Sequence, residues 1–279
     1  MQNRYWVRCL LRQVHFVWFC KGRTELQSSD SLSALADMMK NFLTEQSCKA
    51  LIIPAKSFYG GMKMTLEKIF EIPQMSADWI RNELNKKFQP DEAEKKYREV
   101  IETYEKFAND APSIGGKDNP MSKNFYGALS AFAYYECMNR SMLPDEITAM
   151  CYGMMIGNKK GGQLSRFNLN NRLVQKLFHG LFGLRARKLN KHKEDGSWNN
   201  TWGMKINPLH HKEGISIHLV GCPIADFAKK NGYGELMPYF CETDKAVMEH
   251  FGGTLYREHT VADGYEDCDY WIKNKGEQI

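Results

Sequence analysis

The sequence predicts an α+β protein: a largely helical N-terminal two thirds, then a C-terminal antiparallel sheet with helices on one of its faces. Three observations predict it. Apolar residues recur at helical spacing as far as residue 190. After Gly196, the stretches 215–220 and 254–260 alternate between apolar and polar side chains, as half-buried strands do. Two helical stretches lie between them, and two further stretches, 198–206 and 268–272, have strand composition. The predicted C-terminal order is therefore strand, strand, helix, helix, strand, strand.

Residues 1–50 form the first of three predicted regions, an N-terminal extension with a first helix. The apolar residues of that helix recur at helical spacing within 32–43. The segment 5–20 is rich in large apolar residues, but Arg8 and Arg12 interrupt it and no small-residue cleavage site is evident. We interpret it as a docking helix or an extension that is peripheral to the fold. A signal peptide is the alternative.

Residues 51–195 form the second region, which is predicted to be helical between its turns. One helix begins near Ser76, and Pro90 suits the first turn of the next, which carries an apolar stripe on one face. Two glycines and a proline make 113–120 a loop. The remaining helices are predicted over 125–142, which is apolar around most of its circumference, 144–157 and 167–191, with a turn at 159–162.

Residues 196–279 form the third region, the α+β unit. Consecutive elements are usually neighbours in space, so side chains from this unit are expected to converge on a shared site. Its strands are predicted over 198–206, 215–220, 254–260 and 268–272, and its helices over 223–230 and 235–251.

Composition and charge narrow the function classes. With 43% hydrophobic and 25% charged residues, the chain is typical of a folded soluble protein. A net charge of +5 gives no strong case for nucleic acid or membrane as partner. No stretch approaches the roughly 18 unbroken apolar residues of a spanning helix. Eight dispersed cysteines without a CxxC pair indicate free thiols in a reducing compartment, so we expect a cytoplasmic protein.

Three cysteines of the C-terminal unit are the first candidate functional residues. Cys222 lies at a strand end, Cys241 in a helix and Cys268 in a strand. Three thiolates and a carboxylate would suit zinc, but the spacing matches no standard zinc signature. Free cysteines are also among the most buried residue types. Buried structural thiols, a nucleophilic or ligand-contacting thiol, and a metal site therefore all stay open.

Asp244 and Arg257 are the next candidates. A carboxylate can act as a general base for water, and an arginine can clamp a substrate carboxylate with two parallel hydrogen bonds. The alternative is that the two side chains pair with each other or with solvent. Asn119, in the glycine-containing loop, and His218, in a predicted strand, are further candidates for substrate contact.

The C-terminal residues resemble a known family. The run 221–233 (GCPIADFAKKNGY), the Cys241-x-x-Asp244 spacing and the tail 255–269, which begins LYR and ends CD, are similar to the L-2-amino-thiazoline-4-carboxylic acid hydrolase family. The loop 114–120 supports the resemblance, which covers roughly residues 90 to 273. The tail departs from the family pattern, because Tyr-Trp follows its Cys-Asp pair.

The resemblance implies a hydrolase that opens a cyclic amidine, 2-amino-thiazoline-4-carboxylate, to N-carbamoyl-cysteine. Water would attack the amidine carbon, Asp244 would accept the proton, and the ring thiolate would leave. Arg257 would hold the substrate carboxylate, while Cys222 and Cys241 would line the pocket or attack as thiolates. This chemistry points to no definite cofactor, and a divalent metal held by the cysteines stays an open alternative. We expect the chain to bind a small-molecule substrate and to form a homo-oligomer.

The order of C-terminal elements also resembles V4R-type ligand-binding domains at the level of the fold. That likeness gives a second hypothesis from a different class, a non-catalytic module that binds a small molecule or a metal. A water-accessible pocket with Asp244 and a cysteine converging on it favours the hydrolase, whereas a sealed apolar cavity favours the binding module.

Overall fold

The described chain runs from a set of helices into an antiparallel sheet. The computed structural model describes residues 71–156 and 166–276, which all belong to one compact unit of the chain. The predicted α+β class is confirmed. No helix in these two ranges combines the length and apolar character that a membrane span requires. The helices are α1 (Gln74–Lys87), α2 (Pro90–Asp110), α3 (Ser122–Cys137), α4 (Pro144–Ile156), α5 (Arg172–Glu194), α6 (Pro223–Asn231) and α7 (Met237–His250). The strands are β1 (Gly203–Ile206), β2 (Ile215–Val220), β3 (Gly253–Tyr256) and β4 (Asp267–Asn274).

Local chemistry explains where the helices begin and end. Pro90 occupies the first turn of α2, as predicted, where its missing N–H has no partner to lose. The prediction placed the start of α5 too early, because the Asn171 side chain caps the helix by accepting from the Leu173 N–H at 2.8 Å. It also placed the end of α3 too late, because Asn139 and Arg140 both adopt a left-handed φ of 55°.

The sheet has the order β1-β2-β4-β3, and every neighbouring pair is antiparallel. The prediction made β1 and β3 too long. The chain before β1 is instead a turn, in which the Trp198 N–H donates to the His192 carbonyl. After β3, the N–H groups of Glu258 and His259 donate to the carboxylate of Asp269 rather than to a strand. A side-chain acceptor therefore ends the ladder.

Strand alternation gives the sheet two different faces. One face is apolar and packs against α5, forming a cluster with Phe178 and Leu189, so the predicted helix-covered face is confirmed. Its sheet residues are Met204, Ile215, Ile217, Leu255 and Ile272. The opposite face carries polar and charged side chains. A second core cluster surrounds α3, whose ring of Phe132 is fully buried and stacks on Phe227 and Tyr233.

Several sequence-based expectations fall outside the described residues. They are the docking segment 5–20, the helix within 32–43 and the turn at 159–162. The division into regions 1–50, 51–195 and 196–279 stays a prediction.

Candidate functional site

A cavity of about 460 Å³ lies between the apolar face of the sheet and the helices. Helices α3, α5 and α7 and strands β1, β2 and β4 all contribute side chains to its wall. Most of the lining is apolar. The polar lining includes Asp244, Tyr270 and the three thiols of Cys222, Cys241 and Cys268. Four of the sequence-predicted site residues therefore converge on one space.

Asp244 reaches the cavity because of helical periodicity. Cys241, Asp244 and Met248 follow one another at intervals of three and four residues, so they share the face of α7 that lines the cavity. The hydroxyl of Tyr270 donates to Oδ2 of Asp244 at 2.7 Å. Nη1 of Arg257 donates to the same oxygen at 3.0 Å. Both bonds end on Oδ2, so within 71–156 and 166–276 Oδ1 is the oxygen that is left for a ligand or water.

Arg257 lies behind this carboxylate, with only 4% of its side chain exposed. Besides its bond to Asp244, it donates from Nη2 to the carbonyl of Cys241 at 2.8 Å. The guanidinium thus links the loop that follows β3 to α7 and fixes the Asp244 side chain. Of the two alternatives for Asp244 and Arg257, the structure shows the pair bonded to each other.

Burial is the largest influence on the pKa values of Asp244 and Tyr270. It raises the pKa of Asp244, and the hydrogen bond from Tyr270 and the charge of Arg257 oppose the rise without cancelling it. The Asp244 side chain is 22% accessible, and Asp244 is one of the residues that line the cavity. Burial also raises the pKa of Tyr270 well above its usual value, so the phenol keeps its proton and stays a donor.

The three thiols are protonated at neutral pH, because burial raises the pKa of Cys222 to about 12 and that of Cys241 to about 11. Burial raises the pKa of Cys268 as well. Each of the sulfurs of Cys222 and Cys268 also has a local hydrogen-bond partner. Cys222 accepts from the Ala225 N–H at the start of α6, and Cys268 accepts from the Val261 N–H at 3.2 Å. These contacts fit structural thiols that line a pocket better than nucleophiles.

The metal alternative finds no ligand set in the described part of the chain. Within 71–156 and 166–276, no group of three or more His, Cys, Asp or Glu side chains is arranged to hold a metal ion. Cys222, Cys241 and Cys268 share the cavity wall without forming such a group.

Two basic residues that the sequence reasoning missed also line the cavity, Lys123 on α3 and Arg185 on α5. Arg185 follows Phe178 and Phe182 at intervals of four and three residues, so all three share the inner face of α5. The helical spacing from Phe178 was the available signal.

The structure does not bring His218 and Asn119 to the cavity. Strand alternation places His218 on the other face of the sheet from Ile217, where its Nδ1 lies 3.1 Å from Asp267 Oδ2. Asn119 is buried in its loop, where its amide donates to Thr201 Oγ1 at 2.7 Å and its oxygen accepts from the Met121 N–H. Asn119 thus anchors the loop beside α3.

The polar face of the sheet carries a chain of imidazoles and carboxylates that the sequence reasoning also missed. Asp267 bridges His218 and His259, and Nε2 of His259 lies 2.7 Å from Oδ1 of Asp267. Although burial acts to raise it, the hydrogen bonds from the two imidazoles hold the pKa of Asp267 below its usual range.

Fold and cavity together define an α+β protein built around a ligand-sized pocket with one buried carboxylate. Residues 121–272, more than half of the chain, match the model of the L-2-amino-thiazoline-4-carboxylic acid hydrolase family, and the chain belongs to that family. The match runs from the residue before α3 into β4 and includes Asp244, Arg257 and Tyr270. It begins after the loop 114–120, which had also supported the resemblance. Comparisons with curated proteins and with solved structures gave no match.

Proposed function

We propose that this protein is a hydrolase that opens a small cyclic amidine carboxylate, of the 2-amino-thiazoline-4-carboxylate type, by attack of water. The observation that carries the proposal is the buried carboxylate of Asp244 on the wall of a cavity of about 460 Å³. A general base works best when its pKa approaches the working pH, and burial moves the pKa of Asp244 in that direction. Family membership supports the reaction type.

In the proposed step, Asp244 accepts a proton on Oδ1 while the water oxygen bonds to the amidine carbon between sulfur and nitrogen. The electron pair of the C=N bond goes to the ring nitrogen, which takes the remaining proton of the water as the tetrahedral intermediate forms a carbonyl and its carbon–sulfur bond breaks. The sulfur leaves as a thiolate and takes the proton that Asp244 had accepted. The product is N-carbamoyl-cysteine, which contains all atoms of the substrate and of one water.

The buried pair with Asp244 suggests that Arg257 acts as a positioning residue. Its two bonds, to Asp244 and to the Cys241 carbonyl, orient Oδ1 and support the ionised form of the base. The substrate carboxylate then needs another cation. Arg185 and Lys123 line the same cavity, and we assign the substrate carboxylate to them. This assignment replaces the sequence-based expectation that Arg257 itself clamps the substrate.

Water, rather than a thiol, is the nucleophile in this proposal. A thiol with a pKa of about 11 or 12 is almost entirely protonated at neutral pH, and only the thiolate attacks effectively. Cys222 and Cys241 therefore contribute to the apolar wall of the cavity.

A product assay tests the reaction. The purified protein is incubated with 2-amino-thiazoline-4-carboxylate, and N-carbamoyl-cysteine is measured by mass spectrometry. We expect multiple turnovers, and we expect Cys222→Ala and Cys241→Ala each to keep turnover within about tenfold of wild type. Loss of all turnover in either cysteine variant, with the fold intact by circular dichroism, would favour the covalent route. Absence of product with the wild-type protein would refute the proposed reaction.

The largely apolar lining favours one alternative, a non-catalytic module that binds a small molecule. Such a module needs the cavity but not the base. Equilibrium binding of 2-amino-thiazoline-4-carboxylate without product formation would support it, and the same measurement separates it from the hydrolase.

A further inference from the structure

The cavity has two chemically different ends, which the register of the sheet defines. Leu219 pairs with Cys268 at one end of the β2–β4 ladder, and Ile215 pairs with Ile272 at the other. All four side chains line the cavity, and Tyr270 lies between the two ends. The bond from Tyr270 places the Asp244 carboxylate at this middle level.

The residues of α7 run in the same direction along the cavity wall. Cys241 lies before Asp244, and Val247, Met248 and Phe251 follow it towards the other end. From Cys241 to Phe251 the wall extends about 15 Å, at 1.5 Å per residue. The two descriptions agree in direction, because Gly253, two residues after Phe251, lies against Ile272 of β4.

Among the described residues, apolar side chains from several elements meet at the far end. Helix α5 adds Phe178 and Phe182, whose rings stack with centroids 6.1 Å apart. Leu169, which precedes α5, lies beside Gly253 at the start of β3, as Ile272 does. Aromatic and aliphatic side chains thus enclose the space beyond the carboxylate, and Arg185 follows one turn after Phe182 on the same helix face.

The size of this space exceeds what the ring needs. 2-Amino-thiazoline-4-carboxylate has nine non-hydrogen atoms and presents polar groups on most of its edge. Pockets of about 300–1,000 Å³ usually hold drug-sized ligands, and this cavity falls within that range. A bare ring at Asp244 leaves the apolar end without a matching partner.

We propose that the substrate of this protein is a cyclic amidine carboxylate that bears an apolar substituent, an alkyl chain or an aryl group. The carboxylate meets the basic residues Arg185 and Lys123, the amidine carbon lies at Asp244, and the substituent fills the end enclosed by Phe178, Phe182 and Phe251. The position of the ring rests on the proposed function. The apolar occupant rests on the shape and chemistry of the cavity alone.

Binding of inert carboxylates tests the apolar end without any turnover. Each buried methylene raises affinity about fourfold. Titration calorimetry should therefore show octanoate binding about two orders of magnitude more tightly than butanoate, which has four fewer methylenes. Equal or undetectable binding of both would overturn the proposal.

A cavity-filling variant links the effect to this end. Val247→Phe adds a ring to the space beyond Asp244 and should reduce the preference for octanoate at least tenfold. Glu249→Gln, an exposed change on the same helix, is the matched control and should keep the preference. If Val247→Phe retains its thermal transition and the full preference, the chain binds elsewhere and the proposal fails.

Turnover then separates this proposal from the proposed function. The specificity constant kcat/KM is measured for the unsubstituted ring and for analogues of it that carry butyl or benzyl groups, and we expect the substituted compounds to be at least tenfold better. Chain-length-dependent binding without turnover of any compound would refute the hydrolase and keep the apolar ligand. Faster turnover of the bare ring, with no chain-length dependence, would keep the hydrolase and refute the apolar substituent.

Discussion

Replacing Tyr270 with phenylalanine tests how the buried carboxylate is held. The phenol donates to Oδ2 of Asp244 at 2.7 Å, and this bond lowers the pKa that burial raises. Its loss therefore favours the protonated acid. A hydrogen bond to a charged group contributes about 1.5–3 kcal/mol, and water entering from the cavity replaces part of it. About 1.36 kcal/mol corresponds to one pH unit. We therefore expect the pH at which Asp244 ionises to rise by about one pH unit.

The direction of the effect follows from the role of the base. Asp244 works only when ionised, so kcat/KM falls as the pH drops through its pKa. In Tyr270→Phe, this acid limb should move to higher pH by about one unit. Carbon-13 NMR titration of the Asp244 carboxyl, assigned with Asp244→Asn, gives the same readout without substrate. Tyr265→Phe removes an exposed phenol and serves as the control. An acid limb that stays in place or moves to lower pH, in a folded variant, would refute this reasoning.

Three further predictions concern stability. Phe132→Ala removes a fully buried ring that stacks on Tyr233, so urea denaturation should show a loss of about 3–5 kcal/mol. Gly115→Ala requires a side chain at φ +100°, with a Cβ that would clash with the Trp198 ring, and should lower the free energy of unfolding by at least about 1–3 kcal/mol. Asp267→Asn should destabilise the fold at neutral pH by about 1–3 kcal/mol. Because the pKa of Asp267 is lowered in the fold, that difference should disappear as the pH falls through it, and urea titrations across pH would check this.

Strand β2 and helix α6 show which parts of the fold the sequence could predict. The alternation in 215–220 matched the observed strand, since its apolar side chains share the face that packs against α5, while Ser216 and His218 on the other face are also buried. The proline after Cys222 marked the first turn of α6. The early end of β3 could not be predicted, because it depends on the carboxylate of Asp269, which comes from another strand.

The candidate site also has features that the sequence could predict and features that it could not. Neighbouring elements brought Cys222, Cys241 and Cys268 to one wall, as their order in the chain suggested. The choice between a clamp and a buried ion pair for Arg257 needed the distance to Asp244. The apolar end of the cavity had no signature in the sequence, because a void depends on what the packed helices leave unfilled.

The most direct test of the central claim, that Asp244 is the general base, is the kcat of Asp244→Asn for release of N-carbamoyl-cysteine from 2-amino-thiazoline-4-carboxylate. Asparagine keeps the shape and can still accept hydrogen bonds from Tyr270 and Arg257, but it cannot take the proton from water. Glu249→Gln, an exposed carboxylate on the same helix, is the matched control. We expect kcat to fall by about 10² or more in Asp244→Asn and to stay at the wild-type value in Glu249→Gln. Wild-type kcat in a folded Asp244→Asn variant would contradict the claim.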